Sequence, residues 1–349
     1  MKAHILFSCF CVLSLYFLKE WPRGWVCLTA TNPTTFSKYN SSRDVTILLW
    51  YWPFGRAFSL MGNVCWDLYR IPRCRLVDKR SSFSSADVVV FHNRELIAGH
   101  QKLPLNLTRP QGQRWAWMSL ESPDHNGNLQ QYADIFNLTI TYRRDADITI
   151  PYGELLTKED EGHLVEDVRQ NKSSLVCWVV SNYQRHHKRS QVYSELKTVV
   201  PVKVYGSWTQ TRLPSTALLP TISQCYFYLA FENSVSKDYI TEKLWRNAYQ
   251  GGAVPVVVGP PLSDYRAVAP PNSFIHVDEF ASVKDLGGYL QQLAGDKKLY
   301  NEYFAWKQHW KVKLYRDWRE RLCKICLEYN NLPQRKVYSD LEAWVYATS

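Results

Sequence analysis

The chain has 349 residues, enough for two domains of ordinary size, and 46% of them are hydrophobic, which excludes a disordered chain. Its formal net charge of +10 favours an anionic partner, such as a nucleotide, a sialylated glycan or a nucleic acid. Nucleic acid is the weakest of these candidates, because the sequence has no arginine-rich tract, zinc-finger spacing or aromatic RNA-binding motif.

An apolar run without charge occupies residues 3–18, between Lys2 and Lys19. We predict a cytoplasmic tip and signal-anchor helix within 1–28, because no small-x-small cleavage site closely follows the run. A cleaved signal peptide is the alternative. The Ser/Thr-rich segment 29–44 predicts a stem. One anchor of this kind predicts a type II membrane protein whose main part lies in the lumen.

Glycosylation signals and cysteines also indicate a lumenal, oxidising compartment. Four Asn-x-Ser/Thr sequons are candidate glycosylation sites: Asn40, Asn106, Asn137 and Asn171. An even set of cysteines beyond the anchor favours three disulfides and leaves their pairing open: Cys65, Cys74, Cys177, Cys225, Cys323 and Cys326. The spacing Cys323-x-x-Cys326 also occurs in redox and zinc sites, but no second cysteine pair accompanies it.

Beyond the stem, strand-like and helix-like segments alternate in two series. The first series predicts strands at 45–54, 86–93, 114–122 and, in two pieces, 135–153. The second predicts a helix at 186–199 and strands at 174–182, 202–206, 224–233, 253–259 and 274–279. Strands this apolar are typical of parallel sheets covered on both faces. The α/β pattern therefore predicts two doubly wound, Rossmann-like domains that face a cleft.

The stretch NSVSKDYITEKLWRNAYQGGAVPVVVGPP at 233–261 places a helix between two of these strands. Asp238 is a candidate N-cap for this helix, and a Gly-Gly pair ends it. In its first turn Lys243 can contact a diphosphate, and Glu242 can accept hydrogen bonds from the hydroxyls of a ribose. The two side chains together favour a sugar nucleotide, and an exposed helical charge pair is the alternative.

The segment FYLAFENSVSKDYITEKLWRNA at 227–248 resembles the signature of the animal Lewis-type α-1,3-fucosyltransferases. Other similar segments follow in the family's order: YWPFG, WMSLESPDH, YRRDADITIPYG, CWVVSN, LPTIS and VPVVVGPP. The resemblance extends over residues 44–347. Within the family, 317–344 is most similar to the leukocyte-type enzyme that forms sialyl Lewis x, whereas WPFG and LPTIS resemble its relatives.

The resemblance implies a GT-B type fold with a Golgi anchor. We expect an acceptor-side domain at 45–155, a GDP-fucose-binding domain at 174–300, and a helical segment at 301–349 that packs back on the first domain. The family pattern also implies three disulfides: Cys65–Cys323, Cys74–Cys326 and Cys177–Cys225. The alternative is local pairing of Cys65 with Cys74 and of Cys323 with Cys326.

The activity that the resemblance implies is inverting transfer of L-fucose from GDP-L-fucose to O3 of N-acetylglucosamine, without a cofactor. The acceptor would be a sialylated type 2 lactosamine chain on a glycoprotein or glycolipid. Glu121 of the LESP motif is the expected general base. Arg56 and Arg94 are expected at the acceptor, since the family varies between Trp and Arg at Arg94, and Arg goes with type 2 chains. Donor contacts are expected from Tyr152, Ser181, Asn182, Arg189, Tyr228, Asn233, Tyr239, Glu242 and Lys243.

Several alternatives stay open at this point. The acidic motif at 145–147 imitates the metal-binding Asp-x-Asp of other glycosyltransferases, but we expect a structural charge cluster with the neighbouring arginines and no bound metal. A fucosyltransferase with another acceptor, such as neutral lactosamine or the N-glycan core, is one alternative function. A Golgi pseudoenzyme or binding protein of the same fold is another, although Glu121, Arg189 and Lys243 are all intact.

Overall fold

The strands of the chain form two parallel sheets and one short antiparallel pair. The computed structural model describes residues 44–158 and 171–347. The predicted anchor at 1–28, nearly all of the stem and the sequon at Asn40 lie outside the described residues. Within those two ranges, no helix combines the length and the apolar character that crossing a bilayer requires.

The first sheet has six parallel strands in the order β2-β1-β3-β4-β5-β6. They are β1 (Val45–Leu49), β2 (Cys74–Val77), β3 (Val88–His92), β4 (Arg114–Met118), β5 (Leu138–Thr141) and β6 (Ile148–Thr149). Two short helices accompany them, α1 (Val64–Tyr69) after β1 and α2 (Asn93–Ile97) after β3. Alternate side chains are buried in clusters on opposite faces, with Ile47 and Val90 on one face and Leu48 and Val89 on the other. Burial on both faces explains why these strands are continuous apolar runs.

The second sheet has five parallel strands in the order β12-β11-β10-β8-β9. They are β8 (Ser174–Val179), β9 (Val202–Tyr205), β10 (Cys225–Phe231), β11 (Val254–Val258) and β12 (Ile275–His276). Its helices are α3 (Lys188–Val199), α4 (Ser215–Ser223), the π-helix Lys243–Gln250, α5 (Leu262–Val268), α6 (Val283–Gly295) and α7 (Lys297–Glu302). This sheet is also covered on both faces: Trp178 and Leu229 pack on one side, and Tyr228 and Ala230 on the other.

Each sheet reverses its strand order once, between β1 and β3 in the first sheet and between β8 and β10 in the second. In open parallel sheets, ligands bind beyond the carboxyl ends of the strands at such a reversal. The topology therefore marks two ligand positions. One is formed by the loops after β1 and β3, and the other by the loops after β8 and β10.

The C-terminal part of the chain returns to the first sheet. Strand β13 (Trp310–Leu314) pairs antiparallel with β7 (Gly153–Thr157), which lies between the two sheets in sequence. Helix α8 (Trp318–Glu328) packs in the same buried cluster as β1 and β2, and α9 (Leu341–Tyr346) packs in the cluster on the opposite face. Helices α8 and α9 therefore cover opposite faces of the first sheet.

Three disulfides join segments that are distant in sequence. Cys65–Cys323 and Cys74–Cys326 attach α8 to α1 and to β2, and Cys177–Cys225 joins the adjacent strands β8 and β10. This is the pairing that the resemblance implied, and the local alternative is wrong. The sulfurs of Cys323 and Cys326 are consumed in these bonds, so this pair does not form a zinc or redox site in this structure.

The sequons differ in their accessibility. Asn106 and Asn171 are exposed, as a glycan requires. Asn137 is not, because its Oδ1 accepts the Trp115 amide at 2.9 Å and its Nδ2 donates to the Lys336 carbonyl at 2.8 Å. Its role here is to fasten two parts of the chain together. Asn137 as a glycosylation candidate stays a prediction, and its side-chain amide is already engaged in the fold.

Candidate active site

The Glu232 carboxylate follows β10 and organises the ligand position formed by the loops after β8 and β10. It accepts the Thr241 amide at 2.8 Å, the Thr241 hydroxyl at 2.9 Å and the Lys243 ammonium at 2.8 Å. Burial raises the pKa of Glu232, and the nearby Lys243 opposes that shift. Burial also disfavours the charge on Lys243, but Glu232 and Glu242 outweigh it and hold the Lys243 pKa above its ordinary value. A fixed cation therefore lies at the start of the π-helix.

The alternative of an exposed helical charge pair is wrong for Lys243. Its side chain is only 17% exposed and points back to β10, whereas Glu242, at 3.6 Å, remains 42% exposed. The prediction that Asp238 caps this helix is also wrong. Asp238 has a φ of 59°, and its carboxylate accepts the Arg144 guanidinium at 2.6 Å. The helix begins later, with Glu242 in the cap position and no capping side chain.

Arg189 adds a second cation at the same position. It lies in the first turn of α3, is buried, and donates through Nη2 to the carbonyl of Asn182. Within the described residues its Nε has no hydrogen-bond partner, which is unusual for a buried charged group. Burial lowers the pKa of Arg189, and the negative charge of Glu232 opposes this shift. The guanidinium is therefore arranged to receive a ligand that accepts hydrogen bonds.

A cavity of about 280 Å³ lies beside Arg189. Segments that follow strands of both sheets line it, together with the C-terminal residues: Asp124, Tyr142, Arg143, Arg189, Glu232, Asn233 and Val345 to Ala347. Arg143 fixes the C-terminal residues there by donating to the carbonyls of Trp344 and Val345 at 2.6 and 3.1 Å. The carboxyl ends of strands from the two sheets therefore open on one common cavity.

Glu121 reaches the same region from the first sheet. It follows β4, is half-buried, and its amide donates a hydrogen bond to the Ser119 hydroxyl oxygen at 3.2 Å. The Tyr152 hydroxyl donates to the neighbouring carbonyl of Leu120 at 2.7 Å. Burial raises the pKa of Tyr152 well above its ordinary value, with additional effects from Tyr239 and from the Glu242 and Glu121 carboxylates. Tyr152 is therefore influenced both by the predicted base and by a predicted donor residue.

The remaining predicted donor residues lie at different depths. Ser181 and Asn182 are exposed after β8, and Asn233 accepts the Tyr239 hydroxyl at 3.3 Å. Tyr228 is fully buried within β10, and its hydroxyl accepts Asn247 Nδ2 at 3.0 Å. Through this hydrogen bond Tyr228, in the sheet, holds the π-helix that contains Asn247. The direct donor contact predicted for Tyr228 stays a prediction, and the structure gives its hydroxyl a partner in Asn247.

Two salt-bridge groups connect the segments around the site. Arg144, after β5, donates to Asp238 at 2.6 Å and to Asp264 at 3.2 Å. Lys237, after β10, contacts Asp145 at 3.2 Å. Both groups join a segment of the first sheet to a segment of the second. Because the predicted base lies on one sheet and the cations on the other, these ion pairs set the separation between them.

The acidic motif at 145–147 is a charge cluster, as expected. Asp145 receives two hydrogen bonds of 2.8 Å from Arg143, and these lower its pKa to about 2 against the opposing effect of burial. Asp147 points elsewhere: it accepts Lys336 and the Tyr338 hydroxyl, each at 2.8 Å. The two carboxylates are therefore neutralised by different cations and do not converge on one point.

The two predicted acceptor arginines lie at the reversal point of the first sheet. Arg56 follows β1 and Arg94 lies in α2, directly after β3, and both are exposed. The Arg94 guanidinium lies over the ring of Phe54, 5.7 Å from its centroid. The structure thus brings Arg94 and Phe54 together, and it places them at the same sheet edge as Glu121.

Sequence reasoning missed Glu232, Thr241 and Asn247 as site residues. The sequence signal for Glu232 was a carboxylate at the end of an apolar strand, directly before Asn233. A carboxylate in that position is buried, so it requires a cation and donors from elsewhere in the chain. Thr241 and Lys243, 9 and 11 residues later in the chain, are the residues that satisfy it.

Comparison with known protein families identifies the class to which this fold and site belong. Residues 42–153 match the family described as fucosyltransferase, N-terminal, and residues 169–344 match glycosyltransferase family 10 (fucosyltransferase) C-term. The chain belongs to glycosyltransferase family 10 and is a fucosyltransferase. The family predicted from the sequence motifs is thereby confirmed.

The chain is also similar, over most of its length, to individual α-1,3-fucosyltransferases. The chain is 45% identical over 303 residues to alpha-(1,3)-fucosyltransferase 7 of Bos taurus, covering 86% of each protein. It is 43% identical over 335 residues to the Homo sapiens protein of that name, covering 95% of this chain and 92% of the relative. It is 40% identical over 310 residues to 4-galactosyl-N-acetylglucosaminide 3-alpha-L-fucosyltransferase 9 of Bos taurus, covering 89% of this chain and 84% of the relative.

A solved structure agrees with the fold. The crystal structure of an alpha1,3-fucosyltransferase with GDP-fucose superposes with a TM-score of 0.55, covering 88% of this chain and 96% of that one. Its sequence is only 18% identical, so this similarity concerns the α/β fold with its parallel sheets.

Proposed function

We propose that the chain transfers L-fucose from GDP-L-fucose to O3 of N-acetylglucosamine in sialylated type 2 lactosamine, with inversion at the sugar carbon. The observation that supports this most directly is that the Glu121 carboxylate, from the first sheet, and Lys243, from the second, both act on the same buried Tyr152 hydroxyl. A proton acceptor and a holder of the leaving group are the two functions that the reaction needs. They come from different sheets, as expected for an enzyme that holds donor and acceptor separately.

The domain boundaries belong to the same proposal. The acceptor-side Rossmann-like domain is 45–155, the GDP-fucose-binding domain is 174–300, and the segment 301–349 closes the first domain. In this GT-B arrangement the two reversal points face one cleft. The shared strand order of the two sheets and the cavity between their carboxyl ends support it. The segment 1–28 is the Golgi anchor and 29–44 the stem, so the catalytic part faces the lumen.

The donor is held by charge and by hydrogen bonds. Arg189 and Lys243 hold the diphosphate, whose negative charge rises as the bond to fucose breaks. Glu232 orients Lys243, and the exposed carboxylate of Glu242 accepts from the ribose hydroxyls. Ser181, Asn182, Asn233, Tyr152 and Tyr239 complete the donor contacts, while Tyr228 acts through Asn247. The two cations supply the stabilisation that other glycosyltransferases obtain from a metal, so no metal is needed.

Glu121 performs the proton transfer. As O3 of N-acetylglucosamine attacks the fucose carbon, its proton passes to the Glu121 carboxylate and GDP departs from the opposite side. Inversion follows from this single displacement. The half-buried position of Glu121 at the end of β4, with its amide fixed by Ser119, supports this role because a general base must be held within hydrogen-bond reach.

The acceptor assignment rests on charge and on the relatives. The printed name of one relative specifies a 4-galactosyl-N-acetylglucosaminide, which is a type 2 unit. The identity to alpha-(1,3)-fucosyltransferase 7 proteins supports the leukocyte-type activity. Arg56, exposed at the acceptor-side edge, provides a cation for a sialic acid carboxylate, and Arg94, also exposed there, is the residue that goes with type 2 chains. An exposed contact of this kind contributes about 1 kcal/mol, which corresponds to a several-fold preference.

The test measures fucose transfer by the purified full-length chain to 3′-sialyl-lactosamine and to plain lactosamine, at matched concentrations and in EDTA. We expect transfer in EDTA, with the sialylated acceptor preferred several-fold. Replacing Glu121 by Gln should lower turnover about 10²–10⁴-fold while GDP binding persists, because only the proton acceptor is removed.

Each opposing result points to a different alternative. Equal or faster transfer to plain lactosamine would identify a general Lewis x-forming enzyme. Loss of activity in EDTA that manganese restores would contradict metal independence and direct attention to Asp145 and Asp147. Turnover of Glu121→Gln close to the parent would remove Glu121 as the base. No transfer with either acceptor would favour the core-fucosylating or pseudoenzyme alternatives.

A further inference from the structure

Phe54 is held in an unfavourable backbone conformation while half of its side chain is exposed. It lies in the loop after β1 with φ 56° and ψ 23°, in the left-handed region that bulky residues rarely adopt. Its side chain is 51% exposed, so burial offers little compensation. Conformations of this kind persist where the surroundings enforce them, and they concentrate at functional sites.

A buried acid–base pair enforces this conformation. The Phe54 amide donates to Glu95 Oε1 at 2.7 Å, and the other carboxylate oxygen of Glu95 contacts His92 Nδ1 at 2.5 Å. Glu95 and His92 are both buried. The Phe54 ring also packs against His92, at 5.3 Å between centroids, and against Trp318, at 6.4 Å. Backbone and ring are thus both fixed, and the rest of the ring remains open.

The order of the strands puts the loop of Phe54 and the proposed base at the same edge of the sheet. Phe54 follows β1, Arg94 follows β3 and Glu121 follows β4, and these three strands are neighbours in that order. With about 4.8 Å between adjacent strands, the ends of β1 and β4 lie about 10 Å apart. This separation is comparable to the length of a disaccharide. A disaccharide with one sugar next to Glu121 is therefore long enough to bring its other sugar to the loop that contains Phe54.

We propose that Phe54 is a stacking platform for the galactose ring of the acceptor and thereby determines the preference for lactosamine over N-acetylglucosamine alone. The proposal rests on the proposed function, which places N-acetylglucosamine at Glu121. One face of galactose presents several C–H groups side by side, and a flat aromatic ring matches such a face. The polar edge of the sugar lies toward the Arg94 guanidinium, which is 5.7 Å from the ring centroid. A rigid platform reduces the ordering cost of binding a flexible glycan.

The test compares kcat/KM for lactosamine with kcat/KM for N-acetylglucosamine alone, using the full-length chain and Phe54→Gly. Glycine accepts the left-handed backbone without strain, so this variant removes the ring and should not lower Tm. We expect about a tenfold loss for lactosamine, the size of an aromatic stacking contribution, and no loss for N-acetylglucosamine. Phe54→Tyr keeps the ring and should retain the parent value for lactosamine.

Trp66→Ala is the matched control, since Trp66 is an aromatic side chain that is 46% exposed on α1. It should leave kcat/KM for both acceptors unchanged. An equal loss of Phe54→Gly activity on the two acceptors would overturn the proposal by showing a structural role. An unchanged value for lactosamine would also overturn it. A parent chain that transfers fucose to neither acceptor would overturn the proposed function, and this inference with it.

Discussion

The Lys243 ammonium retains capacity for a further hydrogen bond although the side chain is largely buried. An ammonium group has three donors, and in the described chain two of them contact Glu232 and Thr241, each at 2.8 Å. The Glu242 carboxylate lies 3.6 Å from the ammonium, beyond hydrogen-bond distance, so we expect the third donor to be available to a ligand. Glu232 is almost fully buried, so the pair also depends on Lys243 for neutralisation of the carboxylate. A single lysine therefore serves both the stability of the fold and the proposed contact with the diphosphate.

Replacing Lys243 by Ala is expected to weaken GDP binding by about 1.5–3 kcal/mol, the contribution of a charge-assisted hydrogen bond. It should also lower the free energy of unfolding, because the Glu232 carboxylate stays buried without its cation. Calorimetric titration with GDP and thermal unfolding measure the two effects. Lys284→Ala is the control, since Lys284 is an exposed lysine in the first turn of α6 and should change neither. Parent-like GDP affinity of the Lys243 variant would contradict the proposed diphosphate contact.

At this scale the sequence predicted which residue types stand at the strand ends, but not how they pair. The exposed-pair alternative for Lys243 could not be excluded, because its partner Glu232 lies 11 residues earlier and meets it only after β10 and the π-helix have formed. Asp238 was assigned as a helix cap for a similar reason. Its actual partner, Arg144, is 94 residues away on the other sheet, and no local pattern indicates such a contact.

Among the secondary-structure elements, the fully buried strands were predictable, whereas two of the partly exposed strands were not. Strands β3, β8, β10 and β11 each lie within a predicted apolar segment. Strands β2 and β13 were missed because charged side chains interrupt their apolar pattern, as Arg75 and Lys311 do. A strand was predicted at 45–54. In the structure the strand ends at Leu49, and the last residues of the predicted segment belong to the turn that contains Phe54.

The contact between β7 and the π-helix can be tested at one glycine. A Cβ atom on Gly153 would lie 2.7 Å from Cγ of Trp245, too close for the buried indole to remain in place. Gly153→Ala is therefore expected to lower the free energy of unfolding by about 1–3 kcal/mol, as overpacking does. It should also weaken GDP binding, because Trp245 lies in the helix that begins with Lys243.

Gly288→Ala is the matched control for this substitution. Nothing lies within 4 Å of a Cβ atom at Gly288 in α6, and alanine favours the helix by about 0.5–1 kcal/mol. This variant should therefore be as stable as the parent or more stable, with unchanged GDP affinity. If Gly153→Ala were equally stable and bound GDP normally, the packing of Trp245 would not position Lys243.

At the scale of the whole molecule, the chain is closed by two disulfides that run side by side. Cys65–Cys323 and Cys74–Cys326 span 258 and 252 residues, and their ends lie close together in sequence at both α8 and the first sheet. Each bridge alone already closes the long loop that joins these segments. The second bridge then closes only a short ring, made of the segment between Cys65 and Cys74 and the segment between Cys323 and Cys326. Their contributions to stability should therefore be strongly non-additive.

The chain-entropy model gives the size of this effect. Removing one distal bridge by Cys→Ala changes at both ends should cost about 3 kcal/mol, because the other still closes the long loop. Removing the second as well should cost roughly 5–6 kcal/mol more, and removing Cys177–Cys225, which spans 48 residues, about 4 kcal/mol. Urea unfolding of the single and double bridge variants measures these values. If the two distal bridges instead contributed equal and additive amounts, the stabilisation would come from local contacts around each sulfur pair, and closure of the long loop would not be its source.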